Sequence, residues 1–187
     1  QGAFNGCSSL EAVAFPEGLK SIDKYSFTSC AALKSLLIPA GVEYISPELT
    51  FAHCYGLTAI EVAEGNPDYV SVDGVLFDED MTTIYAYPSS RPGDSYTVPD
   101  TVKTLAEGAF FYPQFLKELR LPNGITEFPG GIICTYDREM LLIMPDSVTT
   151  ITEELRIANE RLQLGGKSGS YAETFAKAHG ITYTIVE

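Results

Sequence analysis

Two adjacent residues, His53 and Cys54, carry the side chains of a base and a nucleophile. A cysteine activated by a neighbouring histidine is the arrangement found in thiol hydrolases. Consecutive residues of an extended or turn segment point apart, however, and Cys54 falls at an apolar position of the repeat described below. The other histidine, His179, falls in the last turn of a predicted helix, where an imidazole suits the negative end of the helix dipole. We therefore predict a protein that is not an enzyme, and a hydrolase is the least favoured alternative.

Two further motifs have residue types that bind ligands. Asp78, Glu79 and Asp80 offer the carboxylate oxygens that calcium prefers, but they lack the spacing and the distal glutamate of a calcium-binding loop. The glycine pairs at 130–131 and 165–166 lack the flanking residues of a phosphate-binding loop. We therefore predict an acidic turn and two connectors, and neither a metal nor an organic cofactor.

The chain of 187 residues has 12 basic and 25 acidic residues, which gives a formal net charge of −13. Lys and Arg supply the affinity for nucleic-acid phosphates and for anionic membrane surfaces, so we expect neither partner. No apolar run approaches the roughly 20 residues of a membrane-spanning helix. Gln1 falls inside a repeat rather than in a secretory leader, so we expect a mature fragment, or the C-terminal part, of a longer array.

Three cysteines occupy one repeated position. Cys7, Cys30 and Cys54 each lie three residues after an aromatic residue and three before a leucine. Stacked repeats would place these side chains about 5 Å apart, which predicts a ladder of small buried thiols. A disulfide is within reach, but parallel side chains seldom turn towards each other. Cys134 lies outside this pattern, and the redox compartment stays open.

Five prolines recur at the same position of a repeating pattern of apolar residues. Within each cluster the prolines are 23 residues apart, and apolar residues lie three and one positions before and three and six positions after each. A fixed apolar template of this length indicates one supersecondary unit stacked on copies of itself. These prolines are Pro16, Pro39, Pro99, Pro122 and Pro145.

Each repeat predicts three short segments. Leu36 and Ile38 before Pro39 show the period of two that is typical of a strand, and proline ends the strand because it has no N–H to donate. The three-residue apolar period that follows predicts a second extended or turn segment. The aromatic residue after it, such as Phe27, predicts a helical or 3₁₀ turn. The sequence therefore predicts a right-handed β-rich solenoid of about seven coils, stacked at about 4.8 Å.

The period is interrupted once. From Ala63, which stands where a proline is expected, to Pro99 there are 36 residues, one repeat and 13 more (36 − 23). Asp73-Gly74 between two β-rich runs is the strongest short hairpin signal, and it predicts a small β-meander projecting from the solenoid. We therefore predict a single domain over 1–187, with repeats at 1–65, the meander at 66–88, repeats at 89–168 and a C-terminal cap at 169–187.

The predicted cap is a helix followed by a strand. Ser170 is the expected helix N-cap, Glu173 stands three residues later as in a capping box, and Gly180 is the expected C-cap. An alternating apolar run at 181–185 predicts the closing strand. A solenoid needs an atypical terminal unit to cover its last open face.

The repeat resembles the BspA-type leucine-rich repeats of bacterial surface proteins, whose pattern is aromatic-x-x-Cys-x-x-Leu-x-x-Ile-x-Ile-Pro-x-x-Val-x-x-Ile. The copies that begin at Phe4 and Phe27 match nearly every position, whereas the copy at Phe110 has Pro113 in place of the cysteine. The insertion and the cap are similar to recurrent elements of this family. The resemblance implies a surface-exposed or secreted adhesive module, without catalysis, from a bacterium of the gut or mouth. It identifies no ligand.

Outward residues lie between the inward residues of each predicted strand, and stacking would bring them onto one continuous strand face. Their mixed apolar and charged composition is typical of a recognition surface. Our leading hypothesis is a non-enzymatic module that binds a protein or glycoprotein through this face. Alternatively, loops, the meander or a second copy cover the face, or the chain is a passive spacer that presents another domain. The predicted ligand-binding residues are Leu37, Glu61, Glu118, Arg120, Leu141 and Ile143.

Overall fold

The chain folds into a series of short strands that ends in a helix and one more strand. The computed structural model describes residues 1–152, 155 and 159–186. Residues 153, 154, 156–158 and 187, which belong to the predicted repeats and cap, lie outside the described residues. In chain order the described elements are β1 (Ser21–Ile22), β2 (Ser35–Ile38), β3 (Tyr44–Ile45), β4 (Ala59–Val62), β5 (Tyr69–Val72), β6 (Val75–Asp78), β7 (Thr83–Ala86), β8 (Ser95–Thr97), β9 (Thr104–Leu105), β10 (Phe110–Phe111), β11 (Glu118–Arg120), β12 (Glu127–Phe128), β13 (Ile133–Cys134), β14 (Met140–Ile143), β15 (Thr150–Ile151), β16 (Leu162–Gly166), α1 (Tyr171–His179) and β17 (Tyr183–Ile185).

The strand before each proline buries alternate side chains. In β2, Leu36 and Ile38 are buried and Leu37 points outward. Parallel pairing then places equivalent residues of successive coils side by side, as where Leu119 of β11 lies opposite Leu142 of β14. The short strands after the prolines pair in the same way, β1 with β3 and β12 with β15. The coils therefore stack in register, and the predicted β-rich solenoid is confirmed.

The outward strand side consists of two sheets. β2 and β4 form a two-stranded parallel sheet, whereas β8, β11, β14, β16 and β17 form a five-stranded one. The hairpin turn of the meander lies next to β4, where Ile60 N donates a hydrogen bond to Gly74 O at 2.9 Å. Gly74 has a φ of 77°, and a Cβ there would lie 2.9 Å from Ala59 Cβ, so this turn requires glycine. The predicted continuous strand face is wrong, because the hairpin turn interrupts it.

The meander is part of the core. β5, β6 and β7 pair antiparallel in succession, and β7 then pairs parallel with β9 of the following coil. Val75, Leu76 and Phe77 of β6 are all fully buried. Leu76 packs with the coils before the meander, and Val75 and Phe77 pack with those after it, because successive side chains of a strand point to opposite faces. The predicted projection is therefore wrong, since both faces of β6 lie inside the solenoid.

The segments that carry the repeated aromatic residue stack without interruption, and we call them the turn edge. Phe27 lies between Phe4 and Phe51, with ring centroids 5.3 and 6.0 Å away and the rings nearly parallel. Leu49 N donates to Glu107 O at 3.2 Å, so the third coil meets the fourth directly across the meander. The turn edge comprises residues 4–10, 27–33, 51–57, 110–116 and 133–139.

The C-terminal cap forms as predicted. Ser170 Oγ accepts a hydrogen bond from Glu173 N at 3.2 Å, and Gly180 ends α1 with a φ of 68°. The Glu173 carboxylate accepts from Gly169 N, one residue before the position of a standard capping box. Phe175 is buried in the same core as Phe77, and β17 adds to β16 as the last strand of the sheet. The cap therefore covers the last coil.

Candidate interaction surface

The two candidate catalytic residues do not form a nucleophile–base pair. His53 Nδ1 lies 2.6 Å from Tyr55 Oη, and the Cys54 thiol donates to Phe27 O at 3.0 Å. Burial lowers the pKa of His53 and raises the pKa of Cys54 to about 12, so both side chains are neutral near pH 7. His179 Nδ1 donates to Phe175 O at 2.8 Å, which is the helix-end position predicted for it. The geometry assigns structural contacts to all three residues.

The acidic run at 78–80 forms a turn. Asp78 Oδ1 accepts from Thr82 N and Thr83 N at 2.6 and 2.9 Å, and Oδ2 accepts from Thr82 Oγ1 at 2.7 Å. Partial burial raises the pKa of Asp78, but these hydrogen bonds outweigh burial and hold the pKa below its ordinary value. Within residues 1–152, 155 and 159–186, no three His, Cys, Asp or Glu side chains converge as metal ligands. The same residues contain no helix with the length and hydrophobicity to cross a bilayer.

The cysteine ladder is present in the second and third coils. Cys30 and Cys54 are fully buried, and each thiol donates to the backbone of the preceding coil, Cys30 to Phe4 O at 3.1 Å. Burial also raises the pKa of Cys30. Cys7 is exposed, contrary to the expectation from its repeat position, because it belongs to the first coil. Buried thiols of raised pKa are poor nucleophiles and metal ligands, so the ladder is a packing feature.

On the first sheet, the predicted residues Leu37 and Glu61 lie opposite each other. The Leu37 side chain is 57% exposed, and Glu61 is exposed beside it. Leu37 also lines an apolar groove, whose other walls include Val13, Phe15 and Pro39. This groove presents apolar carbon together with the carboxylate of Glu17, and Glu61 lies beside Leu37.

On the second sheet, Glu118, Arg120 and Leu141 are partly exposed, and the Arg120 Nη2 atom lies 3.8 Å from Glu118 Oε1. Ile143 lies opposite Arg120 but is only 5% exposed, so its predicted place on the accessible face is corrected. The cause is Gly165 of β16: a Cβ there would lie 3.2 to 3.3 Å from side-chain atoms of Leu141, Ile143 and Val186. These side chains therefore cover the space above the glycine. The structure thus brings the predicted residues together as two groups, Leu37 with Glu61 and Glu118 with Arg120 and Leu141.

Five rings that the sequence analysis did not select form a contiguous cluster on the turn edge, and we call it the aromatic edge patch. Adjacent ring centroids lie 4.2 to 6.4 Å apart across three successive coils. Three of the residues have left-handed φ values of 50° to 59°, which costs a residue other than glycine on the order of 1 kcal/mol or more. The available signal was a ring at the same position of consecutive repeats, His53 and Tyr112, with a further aromatic residue within two positions of each. The patch consists of His53, Tyr55, Phe111, Tyr112 and Tyr136.

The chain belongs to the family of BspA type leucine-rich repeat proteins. The region described as "BspA type Leucine rich repeat region" matches in 6 copies, over residues 1–73 and 81–156. The repeat resemblance and the solenoid described above are therefore consistent with each other. Among curated proteins, no significant match is found.

Solved structures of bacterial proteins share this fold. A leucine-rich repeat protein from Eubacterium ventriosum is 28% identical, with a TM-score of 0.68 over 75% of this chain and 37% of that one. The pneumococcal vaccine antigen PcpA is 19% identical, with a TM-score of 0.63 over 91% of this chain and 60% of that one. A leucine-rich cell surface protein from Faecalibacterium prausnitzii is 21% identical, with a TM-score of 0.56 over 94% and 64%. This chain therefore spans less than two thirds of each of these structures.

Proposed function

We propose that this chain is a non-enzymatic binding module of a bacterial cell-surface or secreted protein. It recognises a protein or glycoprotein through the outward residues of its strand side. The observation that carries the proposal is the exposure of Leu37 beside the groove formed with Val13, Phe15 and Pro39. Covering such apolar surface with a partner is favourable by roughly 25 cal/mol per Å².

Two further observations support the proposal. Glu61 lies next to Leu37, so an apolar contact is combined with a charge that can select the orientation of a partner. The Faecalibacterium prausnitzii protein with the same fold is described as a cell surface protein, which supports the proposed location. Glu118, Arg120 and Leu141 form a second group on the neighbouring sheet.

The test compares two double variants. Leu37→Asp with Glu61→Lys disrupts the first group, and Glu118→Lys with Arg120→Glu reverses the second ion pair while retaining both charges. Adhesion of the purified chain to cultured epithelial cells and to immobilised extracellular-matrix proteins is measured beside thermal unfolding. The first variant is expected to weaken adhesion by about tenfold or more, because buried apolar anchors dominate binding.

The matched control is Tyr44→Asp with Glu127→Lys, which changes exposed residues of the short strands β3 and β12 on another side of the coils. It should adhere as the unmodified chain does. Unchanged adhesion of both test variants with an intact fold would contradict binding through the strand side. That result would favour the alternative function, a structural spacer, which is supported by the continuous packing of the two cores through β6.

A further inference from the structure

The aromatic edge patch lies on the turn edge, apart from the strand side, so a role for it does not depend on the proposed function. Tyr136 is 43% exposed and its four neighbours are partly exposed. Tyr112 links the outer coils, with ring centroids 5.3 Å from Tyr55 and 5.4 Å from Tyr136. The rings thus form one surface across three coils, with edges available to a partner.

The repeat itself shows that stacking does not require these rings. The left-handed position that holds His53 and Tyr112 holds Gly6 in the first coil and Ser29 in the second, whereas Tyr136, which is also left-handed, stands one residue later in its repeat, at the cysteine position. The first two coils stack on the coils that follow them through the same backbone hydrogen bonds, from Gly6 N to Thr28 O and from Ser29 N to Ala52 O, as Tyr112 N does to Cys134 O. Glycine adopts this conformation without steric cost, whereas tyrosine is strained in it. The coils therefore stack without aromatic side chains at the position of His53 and Tyr112, which leaves these rings free for another role.

The polar groups around the rings are mostly engaged within the protein. Gln114 Nε2 donates to Tyr55 O and to Ser90 Oγ, and Arg138 donates to Gln114 O. The Arg138 guanidinium also lies over the Tyr112 ring, 5.9 Å from its centroid. Among the described residues the Tyr112 hydroxyl has no hydrogen-bond partner. The surface therefore offers ring faces and few hydrogen-bonding groups, which suits a ligand with an apolar body and isolated acceptors better than a saccharide with many hydroxyls.

The rings also differ in orientation. Adjacent ring planes are tilted by 54° to 90°, so they form ridges with slots between them rather than one flat platform. Aromatic ridges of this kind recognise polyproline II segments, which are rigid before binding and expose one carbonyl per residue to donors such as a tyrosine hydroxyl. The net charge of −13 and the exposed Asp137 next to Tyr136 disfavour an acidic ligand.

From these observations we propose that the aromatic edge patch binds an extended, proline-rich peptide segment of a partner protein, neutral or basic in charge, in the polyproline II conformation. The tyrosine rings contact the proline rings, and the Tyr112 hydroxyl donates to a peptide carbonyl. This site is distinct from the strand-side surface, and each can fail without the other.

The experiment uses the whole chain and a fluorescein-labelled decaproline peptide with a terminal arginine, titrated by fluorescence anisotropy. The double variant Tyr112→Gly, Tyr136→Gly removes two rings; glycine is the residue that the first coil has at the position of Tyr112, and it adopts the left-handed φ of 50° at Tyr136 without steric cost. Its melting temperature should be retained, while decaproline binding weakens by about tenfold or more. Tyr112→Phe with Tyr136→Phe keeps the rings and should retain most of the affinity. Tyr44→Ser, at a tyrosine that is 50% exposed elsewhere, should bind as the unmodified chain does.

Three results would overturn the proposal. The first is equal affinity of the unmodified chain for decaproline and for a flexible Gly-Ser peptide of the same length and charge. The second is unchanged affinity for decaproline in the folded glycine double variant. The third is binding of a neutral oligosaccharide, maltohexaose, that depends on Tyr112 and Tyr136 when decaproline binding does not, which would assign the patch to a sugar.

Discussion

The coils before and after β6 differ in how their outermost apolar layer is covered. On the C-terminal side, α1 buries Phe175 in the core that contains Phe77. On the N-terminal side, the described residues of the first coil form no strand before Pro16, and Phe4 and Phe15 are only partly buried. Residues at equivalent repeat positions thus have different exposures. A repeat position therefore determines which way a side chain points, whereas the next layer determines whether that side chain is buried.

The largest expected effect is at the strand that separates the two regions. Phe77→Ala should lower the free energy of unfolding by about 3–5 kcal/mol and Leu76→Ala by about 2–5 kcal/mol, because each leaves a cavity in a fully packed core. The two variants should accelerate amide hydrogen exchange in different strands. Leu76→Ala should accelerate exchange in β2 and β4, and Phe77→Ala should accelerate it in β11 and β14.

Leu37→Ala, at an exposed position of β2, is the control and should change the free energy of unfolding by no more than about 0.5 kcal/mol. If Leu76→Ala and Phe77→Ala accelerated exchange in the same set of strands, the two cores would behave as one, and the distinction between the regions would be lost.

The next effect compares the two ends of the solenoid directly. Phe175→Ala should lower the free energy of unfolding by about 3 kcal/mol, because it removes a buried ring that also stacks on His179 with centroids 4.1 Å apart. Phe15→Ala should lower it by about 1 kcal/mol, because that ring is already partly exposed. Urea unfolding of both variants measures the difference. Equal losses would show that the first coil is as well covered as the last.

The smallest expected difference is in the reactivity of the Cys7 and Cys54 thiols, and it involves no change in stability near neutral pH. At pH 8, Cys7 should react with a maleimide while Cys54, whose pKa is raised to about 12 by burial, reacts only after unfolding. Because the folded-state pKa of Cys54 lies above the ordinary thiol value of about 8.5, its contribution to stability is complete below that pH and declines as the pH rises towards 12. Mass spectrometry of the labelled chain distinguishes the sites. Equal labelling of Cys7 and Cys54 in the folded chain would contradict the burial difference.

The sequence predicted those features that depend on one coil or on its immediate neighbour. The alternation around Leu36, the pairing of Leu119 with Leu142 and the caps at Ser170 and Gly180 all follow from local period and capping chemistry. The solenoid and its cap were therefore predictable.

Features that depend on contacts beyond the repeat were not predictable. The apolar run at 75–77 resembles an isolated hairpin strand, and nothing local indicates that cores lie on both of its faces. Ile143 alternates outward as predicted, yet Gly165 and Val186, far along the chain, decide its burial. The aromatic edge patch joins the third and fourth coils, which the meander separates in sequence. The alternation of each strand predicted that Leu37 lies beside Glu61 and that Glu118 and Arg120 lie beside Leu141. It did not predict that these two groups lie on separate sheets.

The double burial of β6 also determines how a ligand can be held. A hinge between the two regions would have to expose Leu76 or Phe77 to water, so bending at this strand carries a large free-energy penalty. The distance between Leu37 on one sheet and Arg120 on the other is accordingly set before any ligand arrives. A partner with matching spacing can contact both without ordering the receptor, and a partner with different spacing is rejected rather than accommodated.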